Sequence, residues 1–175
     1  MNLWIYEIPE GRDEEVYKIL GDYGVLWEGP GSIAGMKHNI ETRGDFFNEE
    51  CSLGTAEEIH DELVKLGVTH QAHQDPRYEW DGVLVRYHPQ LGKHYTNANA
   101  EALATLTDVD YRRLEVEARE VEARIGEPFE IVLLSMIGEH LGIAYEDDFR
   151  QLTGQPDLNA IFAKQHKMLS EAGQG

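Results

Sequence analysis

The sequence changes its pattern near residue 97, and this change limits the folds that the chain can adopt. Before that point, segments with the spacing of β-strands interchange with segments of helical spacing, whereas after it apolar residues recur only at helical spacing. We therefore expect an α+β fold in which residues 1–96 form a small mixed or antiparallel sheet with two helices. Residues 97–175 are expected to form a helical layer packed on this region. The length of 175 residues favours one continuous compact domain.

The strands of the first region are predicted from apolar patterns that are bounded by turn residues. Leu3–Ile8 is apolar on both alternating faces, as expected of a covered central strand. The poorly patterned stretch between Gly29 and Cys51 predicts one or two strands. The other predicted strands are Val25–Trp27, a strand from Val68, and a hairpin of Tyr78–Trp80 and Val83–His88 around Asp81-Gly82, a dipeptide that favours type I′ turns.

Helices in both regions are predicted from apolar residues at helical spacing and from the residues at the helix ends. Ala56–Leu66 is well delimited, because Thr55 and Glu58 form a capping box in front of it and Gly67 follows it. Phe129–Leu141 is apolar around most of its circumference, so we expect this helix to be buried. The other predicted helices are Arg12–Tyr23, the segment that contains Leu114, Ala118, Val121 and Ile125, Glu146–Leu152, and Leu158–Leu169.

The charge of the chain is strongly negative. Thirty-three acidic and 15 basic residues give a formal net charge of −18 at pH 7. This charge argues against a basic groove for phosphates, so we expect the protein to bind neither free nucleic acid nor anionic membranes. The single cysteine, Cys51, excludes an intramolecular disulfide, and no segment reaches the roughly 18 uninterrupted apolar residues of a membrane helix. We expect a soluble cytoplasmic protein that carries no cofactor.

Acidic side chains occur in clusters along the chain. Glu57, Glu58, Asp61 and Glu62 form two like-charged pairs that are one helical turn apart, and such pairs disfavour a helix. Because helix stability does not account for these residues, we predict that they bind a partner. The same role is predicted for Asp13, Glu14, Glu15, Glu49, Glu50, Glu146, Asp147 and Asp148.

An acidic surface has two interpretations. It can be a solvated face that keeps the protein soluble. Alternatively, a rigid array of carboxylates can imitate the phosphates of a duplex and occupy the basic groove of a nucleic-acid-binding protein. We favour the second interpretation, a non-enzymatic inhibitor whose partner is a basic nucleic-acid-binding protein such as a CRISPR effector or a restriction nuclease. A phage or plasmid would be a fitting source for a protein of this kind.

The histidines suggest an enzyme as the alternative function. Imidazole is a common metal ligand, and with Asp75 and Asp81 the histidines could form a metal-dependent phosphoesterase or nucleotide-processing site. However, His70 and His73 are three residues apart, so on a regular strand they point to opposite faces. The histidines of this alternative site are His70, His73, His88 and His94.

Two other local motifs are incomplete. His94-Tyr95-Thr96 has the form of one half-site of a two-histidine phosphoesterase, but that chemistry needs a second half, which the sequence lacks. Gly29–Gly35 is rich in glycine like a dinucleotide-binding loop, but no convincing amphipathic helix follows Gly35. We therefore predict no catalytic residues from local motifs.

Overall fold

The fold is the predicted α+β class, with one antiparallel sheet. The computed structural model describes residues 1–77 and 80–155. The strands are β1 (Asn2–Glu7), β2 (Leu26–Trp27), β3 (Phe46–Phe47), β4 (Thr69–Gln74), β5 (Gly82–His88) and β6 (Gly92–Ala98). They are ordered β2-β3-β1-β4-β5-β6, so β1 lies near the middle of the sheet, as predicted.

Helices cover both faces of the sheet. The helices are α1 (Asp13–Asp22), α2 (Ile33–Glu41), α3 (Thr55–Lys65), α4 (Asp108–Ile125), α5 (Phe129–His140) and α6 (Ile143–Thr153). Helices α1–α3 share one core with Leu3 and Ile5 of β1, both almost fully buried. Helix α6 lies on the opposite face, where the ring of Phe149 meets the ring of Tyr6 at a centroid distance of 5.5 Å.

Helix α2 was not predicted, so the region before residue 97 has three helices instead of two. Ser32 caps α2, because its Oγ accepts a hydrogen bond from the amide of Gly35 at 3.1 Å. A Cβ atom at Gly35 would lie 2.1 Å from the carbonyl oxygen of Pro30, so only glycine fits there. The prediction that no helix follows this glycine-rich loop was wrong, because the helix begins within the motif instead of after it.

The predicted hairpin around Asp81-Gly82 was also wrong. Gly82 already belongs to β5, where it pairs with Ala98 of β6, and Trp80 pairs with Arg77 in an isolated bridge. Tyr78 lies outside the described residues. The tight hairpin instead joins β5 to β6, because His88 pairs with Gly92. This pairing places His94 on β6.

Helix α3 is capped by a residue distant in sequence and not by the predicted capping box. Thr55 is the first helical residue, and its Oγ1 donates a hydrogen bond to the carbonyl oxygen of Ser52 at 2.8 Å. Gln74 of β4 supplies the cap, because its Oε1 accepts from the amide of Ala56 at 3.2 Å. Its Nε2 donates to Ser52 at 2.8 Å, so this side chain fixes the start of α3 to the sheet.

Helix α5 is only half buried, in contrast to the prediction. Val132 and Leu133 pack against Leu114 and Ala118 of α4. The opposite face of α5 exposes Leu134 because, within the described residues, α5 packs mainly against α4 and α6. The predicted helix Leu158–Leu169 lies outside the described residues. In the part of the chain that the structure describes, no helix has the length and apolar character needed to cross a membrane.

Candidate functional site

The four acidic residues of α3 fall into two pairs with different surroundings. Asp61 forms an ion pair with Lys93 of β6, and Glu62 forms one with Lys65, both at 2.6 Å. Glu57 and Glu58 lie one turn earlier, and among the described residues no cation lies within ion-pair distance of either carboxylate. The like-charge repulsion predicted for this helix is therefore compensated at its end but not at its beginning.

The start of α3 lies beside the loop that joins β4 to β5. Arg77 of that loop points its guanidinium at the carbonyl oxygens of Cys51, at 3.5 Å, and Glu49, at 3.4 Å. These contacts bring the acidic segment before α3 next to the acids of the loop. We name this set of side chains the acidic rim: Glu49, Glu50, Glu57, Glu58, Asp75 and Asp81.

A cleft of about 370 Å³ is lined by three members of the acidic rim, Glu57, Asp75 and Asp81. Its walls include Trp80 and Tyr95, whose residues are 64% and 55% exposed. The Oε2 atom of Glu57 is buried at this cleft and has no hydrogen-bond partner among the described residues. Burial and the nearby charge of Glu57 both raise the pKa of Tyr95 above its ordinary value.

Strand pairing explains why these side chains face the same way. Val83 pairs with Asn97, and Val85 pairs with Tyr95, so all four side chains project from the face that α3 covers. The start of α3 carries Glu57 to the same place, because the cap from β4 holds it there. The cleft thus combines one helix, three strands and two loops.

The other predicted acidic clusters lie elsewhere. Because β1 runs antiparallel to β4, the start of α1 with Asp13, Glu14 and Glu15 lies at the end of the sheet opposite the acidic rim. Asp13 forms an ion pair with Lys37 at 3.0 Å, and Glu15 forms one with Arg12. On the other face, α6 carries Glu146, Asp147 and Asp148.

Glu146 has a structural partner beneath α6. Its carboxylate lies 2.7 Å from Arg150 and 3.5 Å from the buried Arg86. Asp147 and Asp148, by contrast, are exposed. The sequence had grouped these three acids, but the structure gives the first of them a contact with the interior and leaves the other two at the surface.

The sheet separates His70 from the other three histidines of the alternative site, because the strand pairings place His73, His88 and His94 on the face that α6 covers. His70 faces α3, whereas His73 lies on the opposite face, as their spacing predicted. The Nε2 atom of His73 forms a hydrogen bond with the carbonyl oxygen of Asn99 at 2.9 Å. His88 accepts a hydrogen bond from the amide of Gln90 at 3.1 Å. The ring of His94 stacks on Tyr145. Within the described ranges, no three His, Cys, Asp or Glu side chains form a group that could hold a metal ion.

One histidine that matters was not singled out from the sequence. His60 of α3 and His70 of β4 are both buried, with Nδ1 of the former 2.9 Å from Nε2 of the latter. Burial lowers the pKa of both rings. His60 lies one turn after Ala56 and one turn before Leu63, so its place on the inner face of α3 was visible in the sequence.

The roles of Trp80 and Tyr95 were also missed. Both were assigned to predicted strands or half-site motifs, and nothing in their local sequence indicates that they share a cleft. Asp75 and Asp81 were considered only as possible metal ligands.

Comparisons of this chain with known protein families, with curated proteins and with solved structures found no match.

Proposed function

We propose that the protein is a non-enzymatic acidic binding protein whose acidic rim occupies a basic, nucleic-acid-binding surface of another protein. One observation carries this proposal. Six carboxylates belong to segments that meet at one end of the sheet and, in the described part of the chain, none of them lies within ion-pair distance of a lysine or arginine. The nearest basic group is the ring of His73, 3.7 Å from Asp75. Some acids elsewhere, such as Asp61, Glu62 and Glu146, do have such partners. Others, such as Asp147 and Asp148, are exposed on single helices, whereas the acids of the acidic rim come from several segments that meet.

The electrostatics of the acidic rim fit a basic partner. Unpaired carboxylates that lie close together repel one another, and a basic surface relieves this repulsion on binding. Lysine and arginine side chains that normally neutralise phosphates would meet carboxylates instead. Complementary charge also speeds association, because the long-range attraction steers the two proteins together.

The phosphoesterase alternative has less support. Three of its four histidines, His70, His73 and His88, are buried. A general acid or base must come within hydrogen-bond reach of the substrate, and buried rings do not offer that reach. No observation favours this alternative, so we propose a single function.

The test compares two variants of equal charge. The rim variant replaces Glu49, Glu50, Glu57 and Glu58 with Gln. The distal variant carries Glu14→Gln, Glu120→Gln, Asp147→Asn and Asp148→Asn, which removes four exposed charges away from the acidic rim. Partners are captured from lysate at low salt on wild-type protein, purified, and titrated against each variant.

We expect the rim variant to bind the purified partner at least about tenfold more weakly and the distal variant less than about threefold more weakly, because close charges contribute more than distant ones. Duplex DNA should compete with the wild-type protein for the partner. Equal losses in the two variants would show that overall charge, and not the acidic rim, drives binding. A partner that binds duplex DNA and the wild-type protein at the same time would contradict a shared nucleic-acid-binding surface.

A further inference from the structure

We propose that the cleft lined by part of the acidic rim binds the guanidinium group of an arginine side chain. This inference rests on the proposed function and specifies how the partner is held. It concerns the walls of the cleft, whereas the proposed function concerns the charges around it.

The two aromatic walls are the first reason. Trp80 and Tyr95 are both more than half exposed, although large aromatic rings lose contact with water favourably when they are buried. Among the aromatic pairs and cation–π contacts of the described residues, none involves either ring. Their faces are therefore available to a cation, which the negative face of an aromatic ring attracts.

The carboxylates are the second reason. Among the described residues, those that line the cleft include Glu57, Asp75 and Asp81 and no lysine or arginine. The Oε2 atom of Glu57 is buried there without a donor from the described residues. A buried acceptor that lacks a donor is costly, and a charged N–H group entering the cleft would satisfy it.

The combination of rings and carboxylates favours guanidinium among cations. Hard metal ions prefer a shell of oxygen ligands and gain little from indole or phenol faces. An ammonium group is compact and strongly hydrated, whereas guanidinium is planar and less hydrated, stacks on rings and donates two parallel hydrogen bonds to one carboxylate. The volume of about 370 Å³ lies in the lower part of the range of ligand sites, which suits one side chain.

The kind of partner follows from this chemistry. Trp, Tyr and Arg dominate the energetically important positions of protein interfaces, particularly where an anchor enters a pocket that excludes water. An arginine from a basic, nucleic-acid-binding surface would be such an anchor. The acidic rim would then steer the partner, and the cleft would hold one of its arginines.

The experiment uses the complete chain and a small probe, N-acetyl-arginine amide, followed in ¹H–¹⁵N NMR spectra. The matched probes are the lysine and citrulline analogues. The lysine analogue keeps the positive charge without the guanidinium group, and the citrulline analogue keeps the shape without the charge. The indole signal of Trp80 is assigned by its loss in Trp80→Phe. The variants Tyr95→Ala and Glu57→Gln test the cleft, and Glu120→Gln on α4 is the control.

We expect the arginine probe to bind weakly and to shift the indole signal of Trp80. Its affinity should be at least about threefold higher than that of the lysine probe, because guanidinium stacks on rings and donates paired hydrogen bonds. Tyr95→Ala and Glu57→Gln should each weaken this binding at least about fivefold, and Glu120→Gln should leave it unchanged. The inference would be overturned if the citrulline probe shifted the indole signal as much as the arginine probe does. It would also be overturned if the lysine probe bound with equal affinity and shifted signals over the whole acidic surface.

If the arginine probe does not bind while the rim variant still loses its partner, the cleft site is wrong and the proposed function stands. If the probe binds but the rim variant keeps its partner, the proposed function is wrong.

Discussion

At the scale of single residues, the histidine pair between α3 and β4 is a polar contact inside the apolar core. His70 Nδ1 lies 2.7 Å from the carbonyl oxygen of Val68, which can only accept, so this nitrogen carries the proton. Burial lowers the pKa of both rings and so keeps them neutral near pH 7. In the neutral pair, Nε2 of His70 is an acceptor and Nδ1 of His60 donates to it across 2.9 Å. This hydrogen bond joins the helix that carries Glu57 to the sheet.

Acidification should therefore weaken the fold through this pair. Burial lowers the pKa of His60 to about 4 and that of His70 to about 3, from 6.5 for an unperturbed histidine. Because the unfolded chain binds protons first, the stability that the neutral rings contribute is complete above about pH 6.5 and is lost as the pH falls towards 4. The groups around the pair are Asp61, which opposes the shift of His60, and Lys93, which adds to it.

Thermal unfolding from pH 7.5 to 4.5 measures this effect. Wild-type protein should lose stability on the order of 1–3 kcal/mol over this range. His60→Gln should be less stable at pH 7.5 but should lose less on acidification. His38→Gln, at an exposed position of α2, serves as the control and should follow wild type. A wild-type stability that is constant between pH 6.5 and 5 would contradict the neutral pair.

At the scale of elements, α5 shows why apolar composition does not by itself establish burial. The helix is apolar around most of its circumference, yet its neighbours Leu133 and Leu134 differ sharply, with 8% and 69% of the residue exposed. Successive residues of a helix point about 100° apart, so packing against α4 buries one of them and leaves the other at the surface. Whether a residue of α5 is buried therefore depends on the position of α4.

This contrast makes a matched pair of substitutions informative. Leu133→Ala should lower the free energy of unfolding by about 2–5 kcal/mol, because it leaves a cavity between α4 and α5. Leu134→Ala should change it by less than about 0.5 kcal/mol, as is usual at the surface. Both values can be obtained from urea unfolding. Equal effects of the two substitutions would show that α5 does not pack as described.

At the scale of the whole molecule, the net charge of −18 acts on the stability of the fold as well as on binding. The acidic rim concentrates part of this charge at one end of the sheet, whereas Asp13, Asp61 and Glu146 are paired with basic residues. Self-repulsion of like charges destabilises a compact state, and salt screens it. The protein should therefore respond to salt in two opposite ways.

Adding sodium chloride from 10 to 150 mM should raise the melting temperature while it weakens binding to the basic partner. The screening length falls from about 30 Å to about 8 Å over this range, so repulsion across the surface is removed. The rim and distal variants both have a net charge of −18 + 4 = −14 and should show smaller increases. Calorimetry gives the melting temperatures. A melting temperature that falls with salt would show that ion pairs outweigh self-repulsion.

The elements whose signals are local followed from the sequence. Alternating apolar residues identified β1, and helical spacing with acids in the first turn identified α1. The extent of α3 was also correct within about one residue, because its apolar face and Gly67 mark it. These signals are carried by residues within one or two turns of each other, so they do not depend on the rest of the chain.

The tertiary structure alone decided how the elements meet. The pairing of β5 with β6 overrode the turn signal of Asp81-Gly82, and the cap from Gln74 replaced the capping box of Thr55. The cleft depends on the same contacts, because Glu57 and Tyr95 are 38 positions apart in the sequence and meet only through the sheet. The clustering of acids was readable residue by residue, but which acids lack a cation depends on side chains from distant elements. Local spacing determines which face a residue occupies, whereas long-range packing determines what that face meets.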